Sequence, residues 1–324
     1  MTAIAQAARA SQEMHLRPLN PRRDLSRIAD LIELCFAENL SADGRQYLRH
    51  MRRVAHGFSN RWFDSAPLSF LSSEGFVWED ENKRIVGNIS LIPFIRRGRP
   101  IYLIANVAVH PNYRRRGIAQ ALTLAALNQA RKRLAGAVWL QVRANNPGAI
   151  HLYKKNGFME QARRTTWLRN PGDPKIQPTT NGVRMTTRKA RHWKQQQEWL
   201  HKNYPNEIFW YWPVSRSAFR PGILGAFNRF FSETRMHHWS AERKNRWLGT
   251  LTWRAARTYA DQLWLAAPPE TEDIVLQTLL PRIHWRGRKR HPLSLDLPAG
   301  RAVNALQEAG FKEEHTLIWM SLKF

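Results

Sequence analysis

Apolar residues in the first half of the chain alternate between the spacing of helices and the spacing of strands. In residues 24–36 and 117–133 they recur three and four positions apart, which predicts two amphipathic helices. Between these helices, residues 101–109 form a strongly apolar run of strand length. Further strands are predicted over 15–19, 76–78, 85–92, 138–142 and 158–168, and a further helix over 147–155. This order predicts an α/β (α+β) fold with a mixed sheet and helices on both faces.

Residues 170–182 are polar and include three prolines and two glycines, a composition typical of a linker. This stretch divides the chain nearly in half. We therefore predict a flexible N-terminal tail over residues 1–13, a first domain over 14–169, a linker over 170–182 and a second domain over 183–324.

The second half repeats features of the first. Residues 149–158 (Ala-Ile-His-Leu-Tyr-Lys-Lys-Asn-Gly-Phe) align with residues 302–311 (Ala-Val-Asn-Ala-Leu-Gln-Glu-Ala-Gly-Phe). The hairpin predicted over 76–91 aligns with residues 237–253, with Gly87 opposite Gly249. Such a repeat predicts two copies of one fold. Neither copy has an evident final strand, so we expect each copy to supply the missing edge of the other.

The chain is strongly basic, since 51 Lys and Arg residues against 25 Asp and Glu residues give a formal net charge of +26. Such a charge attracts polyanions, including nucleic acid, the ribosome and phosphate-rich cofactors. The basic residues are scattered through nearly every segment, which also fits a compositional bias with no nucleic-acid partner. The single cysteine, Cys35, and the short apolar runs favour a cytoplasmic protein without a membrane span.

The motif with the clearest chemistry lies between the predicted strand 101–109 and the predicted helix 117–133. There Arg114, Arg115 and Arg116 precede Gly117. Glycine lets the backbone approach a ligand closely, and a helix that begins there directs unpaired N–H groups and its positive dipole end at the loop. With the arginine charges, this arrangement predicts a pyrophosphate site. The alternative is a basic surface turn that only starts a helix.

The sequence from Val107 to Ala119 resembles the acetyl-CoA loop of the GNAT acetyltransferase superfamily. The family pattern Gln/Arg-x-x-Gly-x-Gly/Ala is met by Arg114, Gly117 and Ala119. A second family signature follows in order, formed by Asn146, Pro147, Ala149, Leu152, Tyr153, Gly157 and Phe158. The resemblance covers residues 14–168 and, more faintly, 182–324. It implies two tandem GNAT folds and an N-acetyltransferase in which a primary amine attacks acetyl-CoA directly in a ternary complex.

The resemblance also implies where acetyl-CoA binds. The backbone of Val107 and Val109 would pair with the pantetheine arm, and one of their N–H groups would bond the thioester oxygen as charge develops on it. Asn146 would bond a pantetheine amide in addition to capping its own helix. The implied cofactor-binding residues are Val107, Ala108, Val109, Arg114, Arg115, Arg116, Gly117, Ile118, Ala119, Gln120, Asn146 and Tyr153. No metal is implied.

Two residues are candidates for the catalytic chemistry, Tyr153 and Asn106. By the resemblance, Tyr153 would protonate the departing CoA thiolate; the alternative is a tyrosine that only fills the core. Many relatives have a glutamate on the strand that enters the loop, but residues 102–106 contain no carboxylate. The amine proton could therefore pass to a water held by Asn106 or Ser90, to a residue from elsewhere, or directly to solvent.

The second copy lacks this chemistry. Residues 268–273 (Pro-Pro-Glu-Thr-Glu-Asp) replace the Arg/Gly loop, and Leu306 replaces Tyr153. Proline has no N–H to donate, and the acidic side chains would repel a pyrophosphate. We therefore expect the second copy not to bind acetyl-CoA.

The acceptor stays open between a small-molecule amine and a protein. The alternative function is a GNAT-fold module that binds nucleic acid or the ribosome with little or no turnover.

Overall fold

The computed structural model describes residues 15–40, 42–56, 74–96, 98–171, 182–212, 214–222, 235–256, 259–283 and 291–324. The predicted tail 1–13 and most of the predicted linker (172–181) lie outside these residues. The chain divides into two compact units: unit 1 is Met1–Gln161 with Ile318–Phe324, and unit 2 is Ala162–Leu317. The domain limits predicted at 14–169 and 183–324 stay a prediction.

The helices and strands of the first copy include every predicted element in the predicted order, together with one helix that was not predicted. Up to the end of the first copy they are β1 (Leu16–Pro18), α1 (Pro21–Phe36), α2 (Ala42–Ala55), β2 (Glu74–Glu79), β3 (Ile85–Arg96), β4 (Arg99–Val109), α3 (Ile118–Lys132), β5 (Ala137–Arg143), α4 (Pro147–Lys155) and β6 (Met159–Arg169). The second copy contains β7 (Arg184–Thr187), α5 (Trp193–Asn203), α6 (Asn206–Phe209), β8 (Met236–Arg243), β9 (Arg246–Arg254), β10 (Asp261–Ala266), α7 (Glu272–Leu279), β11 (Leu293–Pro298), α8 (Val303–Glu308) and β12 (Lys312–Lys323).

The sheet of unit 1 is mixed, as predicted. Strands β1 to β4 pair antiparallel in chain order, and β5 joins parallel to β4. Alternate side chains of β2 enter different clusters, because Val77 lies in the core formed with α1 and α2 while Trp78 packs against the core formed with α3 and α4. Helices therefore cover both faces of this sheet.

The strand next to β5 in unit 1 is the last strand of the chain, β12. Ile318 and Met320 of this strand are buried in the same cluster as the side chains of α3 and α4. Trp319, on the opposite face, meets Trp139 of β5 edge to face at 6.4 Å between ring centroids. The end of the second copy thus supplies the edge that the first copy lacks, as the sequence predicts.

Unit 2 repeats the strand order of unit 1. Strands β7 to β10 pair antiparallel in order, β10 pairs parallel with β11, and β11 pairs antiparallel with β6. The aligned glycines occupy equivalent places, since a Cβ on Gly87 would lie 2.9 Å from Ile118 of α3 and one on Gly249 would lie 3.0 Å from Val275 of α7. Both glycines let a helix pack directly on a strand, and the predicted repeat is confirmed.

One helix of unit 1 is absent from the sequence prediction. Helix α2 buries Leu48 and Met51 against α1, and its remaining surface is rich in arginine. Apolar residues at 47, 48, 51, 54 and 55 have helical spacing, but the arginines between them weaken the pattern. Among the described residues, no helix is both long and apolar enough to cross a membrane.

Candidate functional site

No strand of the described residues pairs with the end of β4 on the side of β5, which leaves an open strand edge. The parallel register with β5 runs from the pair Ile101–Ala137 to the pair Ile104–Leu140 and ends there. On the other side β4 continues along β3, and His110 N donates to Val86 O at 2.8 Å. Peptide groups alternate in direction along a strand, so those of Val109 face away from β3. This edge is where the resemblance to GNAT acetyltransferases implies that the pantetheine arm pairs.

A β-bulge interrupts β4 just before this edge. Asn88 pairs with Ala108, but Ser90 pairs with Ala105, so β4 contains one extra residue. Asn106 has a left-handed φ of 54°, a conformation that asparagine tolerates better than most residues. The bulge puts Val107 and Val109 against the cluster that includes α3 and α4, while Ala108 is buried on the α1/α2 side.

The Arg/Gly loop lies beyond this edge and leads into α3. Arg114, Arg115, Arg116 and Gly117 are all exposed. Gly117 has a φ of 78°, which disfavours any other residue, and a Cβ there would meet nothing within 4 Å. The first intrahelical hydrogen bond runs from Ala121 N to Gly117 O at 3.0 Å, so the N–H groups at the start of α3 have no partner within the helix.

Side chains of the loop contact the neighbouring elements. Arg114 Nε donates to Val109 O at 3.2 Å, and Cys35 Sγ donates to the same oxygen at 3.3 Å. The Arg116 guanidinium lies over the Tyr113 ring at 5.1 Å from the centroid. In turn Tyr113 Oη donates to Asp80 Oδ2 at 2.9 Å. These contacts fix the loop to β4 and to the β2–β3 turn.

Gln120 is tied to the end of α4, not to the loop. Its side chain exchanges two hydrogen bonds with Asn156, at 2.9 and 3.1 Å. Only the backbone N–H of Gln120 therefore remains for a ligand at the start of α3. The same pair of bonds holds α3 and α4 together close to Tyr153.

Helix α4 is fixed at both ends by the residues of the second signature. At its start Asn146 Oδ1 accepts from Ala149 N at 3.1 Å, with Pro147 in the first turn, so the predicted cap is confirmed. At its end Phe158 N donates to Tyr153 O and Gly157 N donates to Lys154 O, both at 3.0 Å. This is a Schellman motif, in which Gly157 takes the left-handed conformation with a φ of 87°.

The Schellman motif also determines where Tyr153 lies. The apolar contact typical of the motif is made by Tyr153 and Phe158, whose rings meet edge to face at 5.9 Å. The Tyr153 side chain is 5% exposed and belongs to the cluster against which Val107 and Val109 pack. Burial raises the pKa of Tyr153 above its ordinary value, so its phenol stays protonated at neutral pH.

Asn106 is the centre of a neutral hydrogen-bonded cluster on the α1/α2 side. Its Nδ2 donates to Tyr47 Oη at 2.8 Å and to Ser90 Oγ at 3.3 Å. Asn88 Nδ2 donates to the backbone oxygen of Asn106 at 2.8 Å. Burial raises the pKa of Tyr47, so this phenol is also neutral. Tyr47 and Asn88 were not predicted: Tyr47 lies on the helix that the sequence analysis missed, and Asn88 has no local signal.

In unit 2 the equivalent strand edge is filled by the chain itself. Counting from the shared glycines, the pair Asn88–Ala108 corresponds to Thr250–Ala266, so Val107 corresponds to Leu265. Leu265 N donates to Tyr204 Oη at 3.1 Å, and Asn203 Nδ2 donates to Leu265 O at 3.1 Å. The two backbone groups that would face a pantetheine arm are therefore already bonded.

The helix start in unit 2 is filled in a similar way. Helix α7, the counterpart of α3, begins with Glu272, whose side chain is almost completely buried. Both carboxylate oxygens accept from Arg301, and Oε1 also accepts from Asn203 Nδ2 at 3.2 Å. A carboxylate is favoured at a helix N-terminus for the same reason as a phosphate.

The end of α8 repeats the end of α4 without the tyrosine. Phe311 N donates to Leu306 O and Gly310 N donates to Gln307 O, both at 2.9 Å. This is the same Schellman motif, with Leu306 in the place of Tyr153 and fully buried. The predicted alignment of residues 149–158 with 302–311 is therefore confirmed at the level of individual hydrogen bonds.

Comparison with known proteins gives consistent matches to acetyltransferases. Residues 29–158 match the model of the acetyltransferase (GNAT) family. The ribosomal protein bS18-alanine N-acetyltransferase of Escherichia coli (strain K12) is 38% identical over 133 residues, which is 41% of this chain and 80% of that protein. The mycothiol acetyltransferase of Rhodococcus opacus (strain B4) is 36% identical over 109 residues, and the chain covers 34% of that protein.

Solved structures match over both copies. A tandem GNAT protein from the clavulanic acid biosynthesis pathway has a TM-score of 0.52 at 15% identity, covering 95% of this chain and 98% of that one. A GCN5-related N-acetyltransferase from Sphaerobacter thermophilus has a TM-score of 0.58 at 15% identity, covering 95% of each chain. At this identity the likeness concerns the fold alone, which is the tandem fold predicted from the repeat.

Proposed function

The chain belongs to the acetyltransferase (GNAT) family and is an N-acetyltransferase, and we propose that it transfers the acetyl group of acetyl-CoA to the α-amino group at the start of a protein chain. The relative with 80% of its length covered is named for acetylating an alanine of a ribosomal protein, which supports this acceptor. The family donor is acetyl-CoA, and we propose a ternary complex in which the amine attacks directly.

One observation carries the proposed donor site: the exposed left-handed turn at Gly117 opens α3 beside the open edge of β4. The space that a Cβ would enter at Gly117 is free, and the adjacent arginines supply positive charge, so the residues fit a diphosphate. Backbone N–H groups from Arg115 to Gln120 would hold it. In unit 2 the protein's own groups fill the corresponding places, which supports the assignment of these groups to a ligand in unit 1.

The open edge of β4 would bind the pantetheine arm. The peptide groups of Val107 and the N–H of Val109 are oriented like those of an edge strand that accepts another strand, whereas Val109 O already accepts from Arg114 and Cys35. One of their N–H groups would also bond the thioester oxygen and stabilise the negative charge that develops on it during attack. Asn146 caps α4 with its Oδ1, and its Nδ2 would bond a pantetheine amide.

Tyr153 would donate a hydrogen bond to the CoA sulfur as the C–S bond breaks. Its pKa is raised by burial above the ordinary tyrosine value of about 10, whereas a thiol comparable to cysteine has a pKa of about 8.5. A phenol of this basicity keeps its proton beside such a thiolate, so Tyr153 would stabilise the leaving group by hydrogen bonding. The thiolate would gain its proton from water, and the attacking nitrogen would lose its extra proton to water.

An α-amine suits the neutral groups around Asn106. At pH 7, making an α-amine with a pKa of about 8 neutral costs roughly 1.4 kcal/mol, against roughly 4.6 kcal/mol for a lysine with a pKa of about 10.4. Tyr47, Ser90 and Asn88 carry no charge that would help to remove a proton. An acceptor amine that is already partly neutral in solution therefore needs less help from this site to lose its proton before it attacks.

The test compares peptides that differ only in their amine. We expect release of CoA thiol with a peptide that begins with a free alanine, and much slower release with the same peptide N-blocked and containing one internal lysine. Mass spectrometry after partial digestion locates the acetyl group. A small-molecule amine that reacts faster than every peptide, or no release with any amine, would contradict the proposal. A nucleic-acid partner and a cytoplasmic location stay predictions, because neither the structure nor the similar proteins test them.

A further inference from the structure

The hydrogen bonds around Asn106 leave one of its polar groups for a substrate. Both hydrogens of Nδ2 are used, by Tyr47 Oη and Ser90 Oγ, and the backbone oxygen accepts from Asn88. Within the part of the chain that the structure describes, no group donates to the amide oxygen Oδ1. Asn106 is partly exposed and lies at the bulge next to the proposed thioester position, so this oxygen is available to a group that arrives from solution.

The bulge and its cluster are not needed to build the fold. In unit 2 the register between β9 and β10 is regular, with no extra residue corresponding to Asn106. Thr250 and Thr252 stand where unit 1 has Asn88 and Ser90, and they bond to Ser240 and His238 of the neighbouring strand at 3.0 and 2.8 Å. The same strands therefore pair without a left-handed residue, which indicates that unit 1 retains the bulge for its chemistry.

We propose that Asn106 Oδ1 accepts a hydrogen bond from the acceptor amine, and that Tyr47 and Ser90 are positioning residues that hold the amide in the orientation this requires. The inference rests on the proposed function and adds to it the protein group that orients the amine. An N–H of the amine bonds Oδ1 while its lone pair faces the thioester carbon. As the nitrogen attacks it becomes positive, so this hydrogen bond strengthens in the transition state.

The first experiment removes the two positioning hydroxyls. Tyr47→Phe and Ser90→Ala each delete one acceptor of Asn106 Nδ2. We expect each to lower kcat/KM for the amine about tenfold and to leave the KM for acetyl-CoA unchanged. Tyr102→Phe is the matched control, because Tyr102 lies on the same strand as Asn106 but is buried in the cluster of the other face. It should change neither constant.

The second experiment separates the side chain of Asn106 from its backbone. Asn106→Gly accepts the left-handed φ without strain and removes only the amide, so kcat/KM for the amine should fall about 30-fold. Asn106→Asp retains an acceptor oxygen, and Tyr47 and Ser90 can donate to the new carboxylate, so this variant should stay within about threefold of the wild type. In the Asn106→Gly background, Tyr47→Phe should have no further effect.

The proposal would be overturned by full amine kcat/KM in Asn106→Gly, or by a loss from Tyr47→Phe that persists in that background. A loss of activity in Asn106→Asp as large as in Asn106→Gly would also do so, because it would mean that the substrate bonds the NH₂ end. Thiol release by the unmodified protein is measured in the same series. If it is absent with every amine, the proposed function fails instead, and the two failures are therefore distinguished.

Discussion

The two copies of the fold differ in what bonds the backbone groups at the edge of one strand and at the start of the following helix. In unit 2, Leu265 on the strand edge is bonded by Asn203 and Tyr204, and the start of α7 is occupied by Glu272 with Arg301. In unit 1 the corresponding places, Val107 and the start of α3, are an open strand edge and an exposed Arg/Gly turn. The copies share their strand order, their buried glycine and their Schellman motif, and yet they differ at these places.

The comparison shows what separates a binding site from a structural unit of the same fold. Backbone N–H and C=O groups must find partners when they leave water, and the chain can either supply those partners or reserve the place for a ligand. Unit 2 supplies them with an amide, a phenol and a carboxylate. The predictions below test this contrast, from the largest expected effect to the smallest.

Reversing the charge of the loop should abolish donor binding. In Arg115→Glu with Arg116→Glu, two carboxylates would face the proposed diphosphate. The corresponding stretch of the second copy, residues 268–273, is also acidic. We expect the Kd for acetyl-CoA to rise about 1000-fold, measured by calorimetry. The matched control is Lys132→Glu with Arg133→Glu, which makes the same change in net charge at the other end of α3. Equal losses in the two variants would mean that overall charge, not the turn, governs binding.

Removing the phenol of Tyr153 should separate catalysis from binding. Tyr153→Phe keeps the ring that packs on Phe158, so the Kd for acetyl-CoA should stay within about twofold while kcat falls about 100-fold. Because the pKa of Tyr153 is raised, ionisation of this residue should cause no loss of kcat between about pH 7 and pH 9. In the second copy, Leu306→Met should leave kcat unchanged. An unaltered kcat in Tyr153→Phe would mean that Tyr153 contributes only to the packing of the core.

Breaking the ion pair at the start of α7 should unfold the protein more easily. Arg301→Met leaves the Glu272 carboxylate buried without its cation, which should lower the free energy of unfolding by about 2 kcal/mol at pH 7. Burial already raises the pKa of Glu272, so the folded state favours the protonated form. Without Arg301 this pKa should rise further, so the loss should grow as the pH rises above the raised pKa of Glu272 in the folded wild type.

Urea denaturation at pH 5 and pH 7, followed by tryptophan fluorescence, measures this difference. The control combines Arg301→Met with Glu272→Gln, which removes both charges and should recover most of the lost stability. If the single variant is as stable as the wild type at both pH values, the pair does not complete the helix start.

Substituting the glycines of the two Schellman motifs should have the smallest effect on stability, and this effect should be nearly equal in the two copies. Gly157→Ala and Gly310→Ala each place a Cβ on a left-handed residue, with φ values of 87° and 70°, and each should lower the free energy of unfolding by about 1 kcal/mol. Only Gly157→Ala should also lower kcat, by about threefold, because it shifts Tyr153. An equal effect of both substitutions on kcat would show that the motif serves stability alone.

Local signals explain which parts of the structure could be predicted. Helix α4 begins and ends where residues 147–155 predict, because Asn146, Pro147 and Gly157 act on their immediate neighbours. Helix α2 was missed because arginines interrupt its short apolar pattern, and with it Tyr47 was missed. The residues that fill the edge of unit 2 had no signal at all, since Asn203 reaches Leu265 across 62 positions of sequence. Long-range partners of this kind become visible only in the folded chain.

Strand β12, the last strand of the second copy, completes the sheet of unit 1, and this has a consequence for how the protein is synthesised. The acetyltransferase unit needs Ile318 and Met320 for its core, yet 156 residues of the other unit are translated before them. At typical rates of synthesis this is a delay of roughly 8–30 s, during which the first half of the nascent protein exposes an unfinished sheet edge. We therefore expect the acetyltransferase unit to become active only after β12 has been synthesised, and a ribosome that stalls before Ile318 to release no working fragment.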